Sequence, residues 1–120
     1  MLNRCEFMGR LTKDVEITST STGKRRGRFN IAVDRGKDKH GRDLGTDFVP
    51  CTAWEILGDN IAKYFHKGDG IYVAGRLQVD KLEDKTYYNV IVEKFEFMIQ
   101  PPKQETQNAL KLDADEDLPF

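Results

Sequence analysis

Apolar residues in this chain recur at every second position, in short runs broken by turn-forming residues, and only once at a helical spacing. A period of two sends alternate side chains to opposite faces of an extended backbone, which commits most of the chain to half-buried β-strands. Cys5-Glu6-Phe7-Met8-Gly9-Arg10-Leu11 alternates in this way. Val15 to Thr20 and Arg28 to Val33 are two further runs, joined through the turn-like Ser21-Thr22-Gly23-Lys24. A polar loop from Gly36 to Asp47 follows, with glycines at Gly36, Gly41 and Gly45, and leads into a fourth run, Phe48 to Trp54. Ile71 to Val79 and Tyr87 to Ile99 read as strands around a hairpin tip at Asp80–Lys85. The helical exception is Leu57, Ile61 and Phe65 at i, i+4 and i+8, with Asp59 near its start and Gly68 just past its end.

Several strands, one short helix and two more strands, with a glycine in the first strand for tight curvature, fit an all-β domain of the OB-fold type, a five-stranded Greek-key barrel. Element order fits another small β-sheet domain with a covering helix equally well. A chain of 120 residues holds one domain with a short appendage. The domain is expected over 1–100, a linker over 101–112 and an acidic tip over 113–120. A core of that size needs no disulfide or metal. Cys5 and Cys51 have no clustered Cys or His partners, so they are expected as reduced strand thiols of a cytosolic protein. No apolar run approaches the roughly 20 residues of a membrane helix, and nothing resembles a signal peptide. The expectation is a soluble, cytoplasmic protein.

The run Phe48-Val49-Pro50-Cys51-Thr52-Ala53-Trp54 separates by parity. Val49, Cys51 and Ala53 are small and apolar, as the inside of a small barrel requires. Phe48, Pro50, Thr52 and Trp54 then face outward. An exposed aromatic pair on a curved sheet flanked by cations is a platform for nucleobases, because every base has a π-face to stack. The alternative is an inverted assignment with Trp54 in the core, which would leave the exterior apolar and the interior half polar. Basic residues are spread along the chain at Arg4, Arg10, Lys24, Arg25, Arg26, Arg28, Arg35, Lys37, Arg76 and Lys81. A distributed set can follow a flexible phosphate backbone. The densest group, Lys24 to Arg28, is equally a hairpin with solvated charges.

Catalytic signatures are missing. His40 and His66 have no partner nucleophile, and Asp34, Asp38, Asp43 and Asp47 lack calcium-loop spacing. Gly68-Asp69-Gly70 is a turn, not a phosphate cradle. No enzyme activity, catalytic residue, metal or cofactor is expected.

The tip Asp113-Ala114-Asp115-Glu116-Asp117-Leu118-Pro119-Phe120 joins four carboxylates to an apolar plug. Residues 101–120 hold two basic and five acidic side chains, a charge of −3, which leaves +2 on the remainder. Such density of like charge gives nothing to bury and is expected to be disordered. Leu118, Pro119 and Phe120 suit anchoring in another protein's pocket, with basic rims for Asp113, Asp115, Glu116 and Asp117. An acidic solubilising tail is the alternative.

The chain resembles the bacterial and phage single-stranded DNA-binding protein family. The resemblance runs through Leu2-Asn3-Arg4, Met8-Gly9-Arg10-Leu11-Thr12-Lys13-Asp14, Phe29-Asn30-Ile31-Ala32-Val33 and Asp47-Phe48-Val49 with Trp54. It continues in Asn60 to Gly68 and Ile71 to Gln78, and ends in Asp115-Glu116-Asp117-Leu118-Pro119-Phe120. It implies a non-enzymatic OB-fold, usually a homotetramer, that coats single-stranded DNA in replication, recombination and repair. It further implies base stacking at Phe48 and Trp54 and recruitment of genome-maintenance proteins by the tip. Arg4, Arg10, Arg28, Arg35, Lys37, Arg76 and Lys81 are the candidate phosphate contacts. In three places the chain departs from the family pattern: Lys37 and Leu82 stand where further stacking aromatics are common, and Pro50 interrupts a strand. The short linker points to a phage or prophage version, acting in the bacterial or infected-host cytoplasm at the nucleoid. Competing classes are an OB-fold module for RNA or a replication protein, and a small hydrolase with only the two histidines behind it.

Overall fold

The computed structural model describes residues 1–98; the expected linker and acidic tip lie outside the described residues. The elements are β1 (Cys5–Leu11), β2 (Glu16–Ser19), β3 (Arg25–Asp34), β4 (Thr46–Trp54), α1 (Ile56–Tyr64), β5 (Gly70–Leu82) and β6 (Lys85–Phe97). Several boundaries differ from the sequence expectation, three of them for a clear local reason. β3 begins at Arg25 rather than Arg28, because Gly23 at φ 88° closes a tight turn in which Thr20 N–H donates to the Lys24 carbonyl at 2.8 Å. Pairing then starts at once, with Ser19 opposite Arg25. The β5–β6 tip shrinks to Glu83 and Asp84, since the ladder continues to Leu82 opposite Lys85. β6 is described to Phe97, and the expected end at Ile99 lies outside the described residues. α1 stops at Tyr64, and Phe65 at φ −121° is already extended.

The sheet order is β1-β5-β6-β4-β3-β2, and β1 also pairs with β3. That last pairing closes β1, β5, β6, β4 and β3 into a circuit of five strands, with β2 as a short sixth strand added to β3. β4 and β6 run parallel and the other pairs antiparallel. This is the five-stranded OB-type architecture, extended by one small hairpin strand. Closure depends on Gly9. β1 pairs with β5 up to Arg10 and with β3 from Arg10 onward, so its backbone crosses very close to β3. A Cβ on Gly9 would run into the Ala32 carbonyl oxygen.

Inward-facing residues of these strands make one core: Leu11, Phe29, Ile31, Cys51, Ala53, Ile71, Val73, Val90 and Val92, capped by Ile61 and Phe65. Phe65 lies beyond the helix yet is buried, its ring stacked on Phe97 with centroids 4.7 Å apart and edge-on to Phe95 at 5.6 Å. Each large side chain of this set contributes about 1.5–3 kcal/mol on burial. A slip of one residue in any strand would expose its whole inward row, so the core sets the register.

Candidate nucleic-acid interface

β4 carries the outward row Phe48, Pro50, Thr52 and Trp54. Of the opposite row, Cys51 and Ala53 are buried and Val49 packs against the core. Phe48 is 65% exposed and Trp54 is half-buried. Thr52 differs from its row-mates at 3% exposure, because Asn89 of β6 covers it. Asn89 Nδ2 donates to Thr52 Oγ1 at 2.8 Å, and the hydroxyl donates back to Asn89 Oδ1 at 3.1 Å.

Registers extend this row across the sheet. On β3, Ala32 lies opposite Phe48, Asn30 opposite Pro50, Arg28 opposite Thr52 and Arg26 opposite Trp54. Beyond Ala32 comes Arg10 of β1, so Arg10, Ala32 and Phe48 form one transverse line. On the other side Thr52 adjoins Ile91 of β6, and Ile91 adjoins Arg76 of β5. By the same alternation Asn89 and Tyr87, with Gln78 and Asp80 opposite them, belong to this face. β4, β3 and the β5–β6 hairpin thus bound an open cleft of about 1010 Å³, lined among others by Arg26, Arg28, Trp54, Tyr87 and Asn89. Its ionic lining is balanced, with Lys13, Arg26 and Arg28 against Asp14, Glu16 and Asp80. Attraction for a polyanion therefore has to come from cations around the cleft, and binding within it from apolar and aromatic surface.

Those surrounding cations differ in availability. Arg28 and Arg76 are exposed on the cleft face. Arg10 is exposed and donates to the Gly68 carbonyl at 3.0 Å. Arg4 precedes β1 and pairs with Glu6 at 3.0 Å, a surface pair of little energetic weight. Arg35 is engaged more firmly: Nη2 lies 2.7 Å and Nε 3.0 Å from Asp47 Oδ1. That hydrogen bond holds the Asp47 carboxyl below its ordinary pKa and raises Arg35. A depressed carboxylate keeps its pair above the ordinary carboxyl range and loses it as pH falls through the lowered value, so the pair is intact at neutral pH. Lys37 sits in the β3–β4 loop, bridged to Asp43 and exposed. That loop is folded: Asp38 Oδ1 accepts from His40 N–H at 2.8 Å and Arg42 N–H at 2.9 Å. Lys81 pairs with Thr86 and falls in the row of Val79 and Tyr88, away from that of Asp80 and Tyr87. Leu82 is exposed in the cleft-side row of the same hairpin.

The sequence candidates omit Tyr87 and Asn89, and place Arg26 in the distributed basic set without setting it against Trp54. Period-two reading of Tyr87, Asn89 and Ile91 would have marked one face of β6. Which face meets β4 depends on a parallel pairing far apart in sequence. Neither thiol adds chemistry here: burial pushes Cys51 up to about 12 and, with Glu93 nearby, raises Cys5. Among the described residues no helix is long and apolar enough to cross a membrane.

A sequence model of the single-strand binding protein family matches residues 2–98. The chain is 35% identical to the single-stranded DNA-binding protein of Oceanobacillus iheyensis over 82% of its own length and 64% of that protein's. It is 35% identical to single-stranded DNA-binding protein B of Bacillus subtilis, over 77% of this chain and 81% of that one. The Lactiplantibacillus plantarum single-stranded DNA-binding protein matches at 32% identity over 91% of this chain and 57% of its own length. The chain therefore spans less than two thirds of some of the relatives it matches. Among solved structures, the wild-type single-stranded DNA binding protein from Thermus aquaticus superposes with a TM-score of 0.66 at 29% identity. That superposition covers 86% of this chain and 43% of the Thermus chain. With nearly all of its described residues inside the family match, and with the five-stranded circuit that those residues form, the chain belongs to the single-strand binding protein family.

Proposed function

We propose that this protein binds single-stranded DNA without sequence preference, as a coating protein of replication, recombination and repair in the bacterial cytoplasm. The observation that carries the reading is the outward row of β4. Trp54 lines a cleft whose own charges cancel and Phe48 stands exposed further along the same row, an arrangement that favours unpaired bases over a rigid duplex. Phe48 and Trp54 stack bases, while Arg10, Arg28 and Arg76 take the phosphates that run beside them. Arg4, Arg35 and Lys37 are outer contacts, reached as the strand leaves the cleft, and Lys81, on the other row of the hairpin, is one only for a strand that wraps past its tip. The names carried by the relatives agree with this reading. A homotetramer is supported by exposed apolar side chains of the hairpin that lie outside the cleft lining, Leu77 and Val79.

Titration of poly-dT, duplex DNA and RNA against the emission of Trp54, the single tryptophan, tests the proposal. Strong quenching by poly-dT, with little response to duplex or RNA, is the expected result. No response to any of the three would remove the function, and a stronger response to RNA would move the reading to an RNA-binding module.

The acidic tip is proposed to recruit replication and recombination proteins, with Leu118, Pro119 and Phe120 entering a partner's pocket. Deleting Asp113 to Phe120 should leave poly-dT affinity unchanged or slightly higher, because a tethered polyanion that competes for the cations is removed. The same deletion should abolish capture of host replication and recombination proteins. Partner capture that survives the deletion would reduce the tip to a solubiliser.

A further inference from the structure

Four arginines outside the cleft lining already have a partner, while Arg28 and Arg76 stand exposed on the cleft face. Arg25, next to Arg26 in β3, is bound by Asp59 at 2.7 Å and Glu55 at 3.6 Å, which ties β3 to the start of α1 behind Trp54. Arg35 is bound by Asp47, Arg4 by Glu6 and Arg10 by a backbone carbonyl. Arg26 is different. Its Nε is buried and has no hydrogen-bond partner among the described residues. Instead its Cζ lies 6.0 Å from the centroid of the Trp54 ring, directly across the β3–β4 ladder.

Two magnitudes decide what this arrangement does. A guanidinium 6 Å from a ring is at the outer limit of cation–π attraction, so its hold on Trp54 is weak. A base stacked on the same ring interacts more strongly. A buried N–H without an acceptor is also unfavourable, a penalty that a phosphate oxygen would remove while forming a charge-assisted hydrogen bond. We infer that Arg26 is an exchanging residue: in the free protein its guanidinium covers the face of Trp54, and on binding it yields that face to a nucleobase and takes the adjacent phosphate. The inference rests on the proposed single-strand function. It makes the stacking site and one phosphate contact a coupled pair instead of two independent contacts.

The coupling can be read with dT oligonucleotides and the full chain. In Arg26→Ala the slope of log K against log salt should become shallower by about 0.7, the value of one single-strand phosphate. Acrylamide quenching of Trp54 in the free variant should rise, because the ring has lost its cover. Arg26→Lys should restore the slope, since it keeps the charge, but not the shielding, since an ammonium has no planar face. Circular dichroism checks the fold, and if Arg26→Ala unfolds, the neutral Arg26→Gln carries the same slope test. An unchanged slope, or an unchanged quenching constant, overturns the exchange. Trp54→Ala separates the two levels: if it weakens dT binding while Arg26→Ala leaves the slope unaltered, only the exchange is lost. If the parent does not bind dT, the functional reading itself fails and the exchange falls with it.

Discussion

Replacing Phe48 and Trp54 together with alanine should weaken binding of a dT oligonucleotide by about 2–6 kcal/mol, since each stacked base contributes about 1–3 kcal/mol. The two rings lie on one strand, separated along it by roughly 20 Å at about 3.4 Å per residue. Sites that far apart with no shared partner behave independently, so their losses should add. Phe48 is exposed and Trp54 half-buried, and neither belongs to the buried core, so the double variant should keep its fold. With Trp54 gone, the measurement needs a labelled oligonucleotide and its anisotropy. Even the lower bound corresponds to a loss of roughly thirtyfold in affinity. Binding as tight as the parent's would remove stacking on β4 as the basis of the interaction.

The largest effect on stability is expected at Gly75. Here the β5–β6 ladder shifts register, from Ala74 opposite Lys94 to Gly75 opposite Val92, so one strand carries an extra residue. A Cβ on Gly75 would collide with the Ile91 carbonyl oxygen and lie 3.1 Å from Val92 Cα. Those obstacles are backbone, with no flexible side chain to swing away. Overpacking commonly costs about 1–3 kcal/mol, and parting two core strands puts Gly75→Ala at about 3 kcal/mol or above. Urea unfolding should show the midpoint fall with little change in slope. A midpoint equal to the parent's would mean that the bulge opens freely. The site matters for function too, because the next residue, Arg76, faces the cleft from that strand.

Much of this molecule is legible in its sequence. The small odd-numbered residues of β4, Val49, Cys51 and Ala53, identify its inward side, and that parity places Phe48 and Trp54 outside. Element order around one helix, with a glycine in the first strand, agrees with the five-stranded circuit. Boundaries were less legible where the chain leaves an element under tertiary pull. Phe65 continues the apolar spacing of Leu57 and Ile61, but it is drawn out of the helix to stack on Phe97. Helical periodicity registers the need to bury the ring and is blind to the backbone that buries it.

Alternation along an extended chain is intrinsic to the backbone, so the sequence by itself determined which residues of each strand share a face. It could not determine which faces meet, because that depends on pairings remote in sequence. Parallel pairing of β4 with β6 brings Asn89 over Thr52, turning a residue in an outward row into a buried one. Antiparallel pairing of β3 with β4 sets Arg26 against Trp54, while Asp59 and Glu55 claim the adjacent Arg25. Read in sequence, Arg25 and Arg26 are equivalent members of one basic run. In the fold, one is a structural tie and the other faces the Trp54 ring, since a strand turns consecutive side chains to opposite sides and tertiary contacts decide what waits on each.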